Sequence, residues 1–229
     1  MKYLIVNGDD FGASSGINCG IIEAHRRGVL TSTSLLIDRP WSENAATLSR
    51  TAPRLSVGLH VELADGKSKT EAKEDDYCLA ELRRQFGRFV ELMGTPPTHL
   101  DSHHNVHRDP QLFPHFREFA RQHDLSLREQ SPIRYFTKFY GQWAGESHPE
   151  QIGVAGLQRM LISEIHDGIT ELSCHPGLVD ESFSSGYAVE REIELRTLCD
   201  PAIPRLLTEQ SIRLINYREA ASLLAVIAK

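Results

Sequence analysis

Seven short apolar runs alternate with stretches of helical period along this chain, and that order admits few folds. The runs fall at residues 2–7, 29–37, 55–63, 99–102, 125–128, 168–174 and 212–215. Residues 15–27 place Ile17, Ile21, Ile22 and His25 at helical spacing and stop at Gly28, a helix-ending signal. Residues 77–93 repeat Leu79, Leu82, Phe86, Phe89 and Val90 with the same period. Further helices are predicted over 42–52, 110–123, 149–167, 189–198, 202–209 and 219–227. A helix between successive strands returns the chain across the sheet, so the strands run parallel. A doubly wound sheet and a barrel both satisfy this α/β order. Residues 64–76 read as a charged surface loop. Residues 130–149, aromatic but aperiodic, read as an ordered loop or short helical excursion. With no linker-like stretch and no repeat of fixed period, one domain over residues 1–229 is expected.

Composition narrows the partners. The net charge is −6, from 25 Lys and Arg against 31 Asp and Glu, and the basic residues form no stripe. A phosphate backbone would want one, so nucleic acid is not an expected partner. No run approaches the roughly 18 apolar residues of a membrane span. The chain reaches Asp9 and Asp10 after only a short apolar stretch, unlike a secretory signal. Cys19, Cys78, Cys174 and Cys199 form no Cys-x-x-Cys pair. They are expected to be free thiols in the cytoplasm.

The costly polar residues stand just after predicted strands. Asp9 and Asp10 follow the first, His60 ends the third, and Asp101, His103, His104 and His107 follow the fourth. His175 follows the run at 168–174. Parallel strands share one carboxyl-end face, so residues distant in sequence should converge there. Adjacent carboxylates can divide the labour, one binding a cation and the other taking a proton. Turn or helix-cap duty is the plain alternative. His60, taken alone, reads as a hydrogen-bonded core histidine. Four of the 11 histidines lie between 99 and 107. Imidazole and carboxylate together suit a borderline divalent metal, although four histidines cannot all hold one ion. His103 and His107 would share a face in a helix; His103, Asn105 and His107 would share one in an extended chain. His175, in Cys174-His175-Pro176-Gly177, could serve as a general acid or simply sit in a turn. Cys174 reads as a buried structural thiol. Arg128 and Arg218, each close to the end of a predicted strand, could pin Asp9 bidentately or form surface ion pairs.

The segments Leu4–Gly12, Gly20–His25, Thr31–Ser34, Gly58-Leu59-His60, Thr98–His107, Cys174-His175-Pro176 and Tyr217-Arg218 together resemble the YdjC-like carbohydrate deacetylases, in the right order over nearly the whole chain. The resemblance implies a deformed (β/α) barrel of about seven parallel strands, like that of the NodB polysaccharide deacetylases. It implies one divalent metal ion, magnesium or zinc first, with cobalt or manganese as alternatives. By position, Asp10, His60 and His103 would be its ligands, Asp9 the general base and His175 the general acid. His104, Asn105, His107, Arg128, Tyr140, Trp143 and Arg218 would contact substrate or support the ligands. The activity implied is hydrolytic removal of an acetyl group from an N-acetylated amino sugar or short oligosaccharide. A homodimer is compatible with the resemblance. Asn105 stands where the family usually has histidine, which bears on substrate or pH dependence. The chain is also shorter between His60 and Asp101, which implies a smaller or more open cleft. Tyr135, Tyr140 and Trp143 could stack on sugar rings or pack under a loop. Two rival readings are another metal-dependent hydrolase, such as a phosphoesterase, and a carbohydrate-binding protein with a spent site.

Overall fold

The structure, a computed structural model, describes residues 1–63, 71–180 and 185–227, with backbone alone for 71–76 and 227. The first half runs β1 (Lys2–Phe11), α1 (Ser15–Arg27), β2 (Ser32–Leu35), α2 (Ser42–Arg50), β3 (Ser56–Val61), α3 (Glu71–Met93), β4 (His99–Ser102), α4 (Phe113–Gln122) and β5 (Ser126–Leu127). The second half runs β6 (Arg134–Phe136), β7 (Gln142–Trp143), β8 (Glu146–Ser147), α5 (Pro149–Ile152), α6 (Val154–Ser163), β9 (Gly168–Cys174), α7 (Val189–Leu198), α8 (Ala202–Glu209), β10 (Ile212–Leu214) and α9 (Tyr217–Ile227).

Seven strands pair in parallel in the order β5-β4-β3-β2-β1-β9-β6. Followed from β1 in both directions, that order winds around a ring, and no ladder joins β5 to β6 among the described residues. The fold is a deformed (β/α) barrel, open at one seam. Among the described residues, β10 pairs only with Lys2–Leu4 at the start of β1, outside the ring order.

Local chemistry explains the elements. Ser14 caps α1 by accepting the Ile17 N–H at 3.1 Å, and the Gly28 N–H closes the far end on the Ala24 carbonyl. That helix buries Ile17, Ile21, Ile22 and Ala24. α4 buries Phe116 and Phe119. Each such side chain contributes roughly 1.5–3 kcal/mol, enough to hold a helix too short to persist alone. α1 also lies directly on the loop after β9. A Cβ added at Gly20 would sit 2.5 Å from the Gly177 Cα, so backbone meets backbone beside His175.

Four expectations need correction. β1 does not stop at residue 7 but continues through Asp9 and Asp10 to Phe11. Residues 134–136 form a ring strand, and 142–147 a two-stranded hairpin, where an ordered loop or short helical excursion was expected. The ring therefore has the expected seven strands, but β6 is the seventh and the run at 212–215 is not. Of the expected loop at 64–76, residues 64–70 lie outside the described residues and 71–76 are the first turns of α3.

Candidate active site

The carboxyl ends of the strands open into a cavity of about 560 Å³, and Asp9, Asp10, His60, His103 and His175 all line it. A regular strand would point adjacent Asp9 and Asp10 to opposite faces. Here the pairing with β2 shifts between Gly8 and Phe11, and Asp10 adopts φ 69°. Such a bulge re-aims a side chain, and aspartate tolerates the left-handed region better than most residues. Both carboxylates therefore reach the cavity.

Asp9 is clamped. The Arg128 guanidinium donates to both its oxygens at 2.8 Å, and the Asn7 amide donates to one of them at 2.8 Å. Arg128 is fully buried and also reaches Asp101 at 2.8 Å and Glu171 at 2.7 Å. The Tyr217 hydroxyl donates to the other Glu171 oxygen at 2.6 Å. Burial pushes the Asp9 carboxyl up, but the charge and hydrogen bonds of Arg128 outweigh it and hold the pKa below the ordinary value. Burial wins at Glu171, which is raised despite Arg128.

Asp10, His60 and His103 each offer a donor atom, and these atoms lie within 4.8 Å of one another. One Asp10 oxygen is 3.0 Å from His103 Nδ1 and 3.4 Å from His60 Nε2. His60 Nδ1 is bound to Asp101 at 2.7 Å, which leaves Nε2 to face the cluster. One carboxylate and two imidazoles suit a borderline divalent ion, so the residues fit a metal. A second grouping, Asp9, His60 and Asp101, fits less well. Arg128 occupies both Asp9 oxygens, and Ser34, Arg128 and His60 occupy those of Asp101. Burial pushes Asp10 up, yet Arg191 at 2.5 Å and the two imidazoles hold it well below the usual carboxylate range. Burial pulls His60 down, but Asp101 and the bond to Asp10 override it and raise the imidazole to about 10.

The histidine cluster is neither a regular helix nor an extended strand. A short 3₁₀ turn follows β4, with His104 and Asn105 left-handed at φ 54° and 53°. That reversal turns His103, His104 and Asn105 to the cavity, where the Asn105 Oδ1 is buried without a hydrogen-bond partner among the described residues. His107, expected to contact substrate or support the ligands, is not among the residues lining the cavity and is buried, with Nδ1 2.6 Å from Ser102 Oγ.

His175 follows β9, and its ring meets Tyr140 and Tyr187 edge-on at 5.8 and 5.6 Å. Burial drives its pKa down to about 4; Asp9 and Asp10 oppose the fall and Arg191 adds to it. Cys174 is fully buried against the Asn7 carbonyl, and burial pushes its thiol well up, as befits a structural thiol.

Two candidates leave the site. Trp143 sits on the β7–β8 hairpin, exposed and stacked on His148 at 3.6 Å, and is not among the residues lining the cavity. Arg218 donates to the carbonyls of Pro53 and Leu55, just before β3 begins and away from the strand ends that carry the site. The reason is the register of β10, which ends level with Leu4. Tyr217 still reaches inward to Glu171, whereas Arg218 turns away. Of the two arginines, it is Arg128 that orients Asp9, together with the Asn7 amide.

Sequence reasoning missed Arg191, Tyr187 and Glu194. Arg191 and Glu194 are buried on α7, on the stripe that also carries Leu195 and Leu198. Charged residues at apolar-stripe positions were the available signal.

His99 supports the site from below. Its ring lies against Gly58, where an added Cβ would be 2.4 Å away, and stacks on Tyr217 at 3.7 Å. Ser34 donates to Asp101 and so accepts from His99 Nε2 at 3.1 Å, which places a proton on Nε2. Burial pushes the imidazole's pKa from 6.5 to about 4. The unfolded chain therefore takes up the second ring proton first, and stability falls as pH drops from 6.5 to about 4 by up to about 3 kcal/mol. Above 6.5 the group contributes no pH dependence. Denaturation of wild type and His99→Asn at pH 7.5 and 5 checks this: the wild type should lose more stability over the interval, and equal losses would refute it.

The family described as YdjC-like protein matches residues 3–209. Chitooligosaccharide deacetylases of Salmonella typhimurium and Salmonella agona are each 36% identical over 247 aligned residues, covering 93% of this chain and 96% of theirs. A solved Enterococcus faecalis structure, named for cellobiose-phosphate cleavage, is 29% identical with a TM-score of 0.77, covering 95% of this chain and 98% of that one. A family 4 acetyl xylan esterase of Clostridium thermocellum, solved with a cobalt ion, has a TM-score of 0.59 at 15% identity, covering 97% and 91%, and shares the fold.

Proposed function

Because the chain belongs to the YdjC-like protein family, we propose that it is a metal-dependent deacetylase of N-acetylated amino sugars or short oligosaccharides, acting as one domain. The observation that carries this reading is the pairing, in one cavity, of an Arg128-clamped Asp9 with the Asp10, His60 and His103 donor set. The names of the Salmonella relatives support the substrate class.

Asp10, His60 and His103 would hold the ion, of which magnesium and zinc are the first candidates. A bound divalent ion supplies Lewis acidity to the acetamide carbonyl and to the attacking water. Asp9, kept anionic by Arg128, accepts a proton from that water. Its two-point clamp removes the freedom to rotate away, so the base is placed before substrate arrives. His175 gives a proton to the departing sugar nitrogen. Its pKa is about 4 without substrate, so it first takes up a proton from solvent, which the negative charge developing on the acetyl oxygen favours, and then passes that proton to the nitrogen, while Asp9 returns to solvent the proton it took from water. His104, Asn105 and Tyr140 line the same cavity and are proposed to contact the sugar. The free thiols fit a reducing compartment such as the cytoplasm.

A phosphoesterase would be expected to add a second metal site, and among the described residues the second grouping shares His60 and has its carboxylates occupied. Product analysis decides between the readings. With N-acetylglucosamine oligomers and phosphate esters offered side by side, acetate and a free amine should appear from the first and no phosphate from the second. Phosphate without acetate would overturn the proposal.

A further inference from the structure

We infer that Glu194 is a positioning residue for His175, an assignment that rests on the acid role proposed for that histidine. Glu194 lies on α7 with no solvent exposure. Burying a carboxyl is costly unless its partners repay it, so the partners say what it is for. One oxygen accepts the His175 main-chain N–H. The other accepts the Tyr187 hydroxyl at 2.5 Å, and that hydroxyl in turn accepts the Gly141 N–H at 2.8 Å.

A single side chain thus joins three segments of the cavity wall: the end of β9, the loop before α7 and the loop between β6 and β7. All three meet on the His175 imidazole. Tyr187 stacks on Tyr140 at 4.7 Å and 4°, and both rings present their faces or edges to the imidazole at 5.6 and 5.8 Å. The imidazole Nδ1 is buried without a hydrogen-bond partner among the described residues. Packing, rather than a bond at that nitrogen, therefore sets the ring's orientation. Glu194 fixes both elements of that packing, the backbone that carries the ring and the phenol that flanks it. An apolar residue of similar size would fill the space but leave the His175 N–H and the Tyr187 hydroxyl proton without an acceptor.

The test uses the zinc-loaded full chain and measures kcat and KM for acetate release, with bound zinc by elemental analysis. Glu194→Ala should lower kcat about 100-fold, as an ångström-scale misplacement does. KM should move by no more than about threefold, since ground-state binding is not the target. Zinc content should not change. Glu194→Gln should recover about tenfold of the loss, because its amide oxygen still accepts the His175 N–H. The same substitutions in a His175→Ala background should cost nothing further, since residues acting through one another are not additive. Equal losses in both backgrounds, or an unchanged kcat in Glu194→Ala, would overturn the inference. Should Glu194→Ala fail to fold, Tyr187→Phe carries the same comparison, with a loss of kcat in the wild-type background and none beside His175→Ala. Full activity in His175→Ala would instead strike the acid role itself, and the inference with it. An impaired His175→Ala beside normal Glu194 variants would strike the inference alone.

Discussion

Replacing Asp9 with asparagine is expected to lower kcat for acetate release by about 10²- to 10⁴-fold, the usual worth of a positioned acid or base. The substitution removes proton affinity and little else. Asp9 is not among the three proposed ligands, so the protein should still bind one divalent ion. Arg128 keeps its contacts to Asp101 and Glu171, so the buried cluster retains a cation among carboxylates. Kinetics and metal analysis on the same preparation check both halves. Full activity in Asp9→Asn would refute its role as base, and loss of metal would mean that Asp9 belongs to the ligand set.

The second large effect is on folding. Arg128→Met should destabilise the protein by about 3–5 kcal/mol, because removing one partner strands the others in low dielectric. Asp9, Asp101 and Glu171 all lie within 2.8 Å of that guanidinium and are almost completely buried. Without it each favours its protonated form, so the gap between variant and wild type should narrow as pH falls toward 5. The sign follows from the variant, whose stranded carboxyls take up protons at a higher pH than the unfolded chain does and so recover stability as pH falls. In the wild type Asp9 and Asp101 are depressed, so their contribution is lost only below their unfolded pKa near 3.8. Denaturant titration at two pH values measures this. A loss under about 1 kcal/mol at neutral pH would show that the cluster is not held by Arg128.

Much of the site was legible because its residues announce their cost. Two adjacent aspartates after an apolar run, a histidine closing a strand, and a histidine after another all point to one face once the strands are parallel. The three proposed ligands and both proposed proton-transfer groups do line one cavity. What remained hidden depends on tertiary context. β6 is three residues long and is a strand only because β9 offers it an edge, so no periodicity betrays it. The left-handed His104 and Asn105 have no signature that separates them from helix or strand. Arg191 and Glu194 lie on a predicted helix and join the site only because α7 packs that face inward. Arg218 misled for the opposite reason: following the last predicted strand suggested the active face, but β10 ends level with Leu4.

The central claim is that a divalent ion at Asp10, His60 and His103 drives removal of an acetyl group from an amino sugar. The most direct measurement is acetate release from N-acetylglucosamine oligomers by protein stripped with a chelator and then titrated with one divalent metal. Activity should vanish on stripping and return in proportion to metal, saturating at one ion per chain; His103→Ala should raise the metal needed. Undiminished release by fully stripped protein, or no acetate from any N-acetylated sugar at full metal loading, would contradict it.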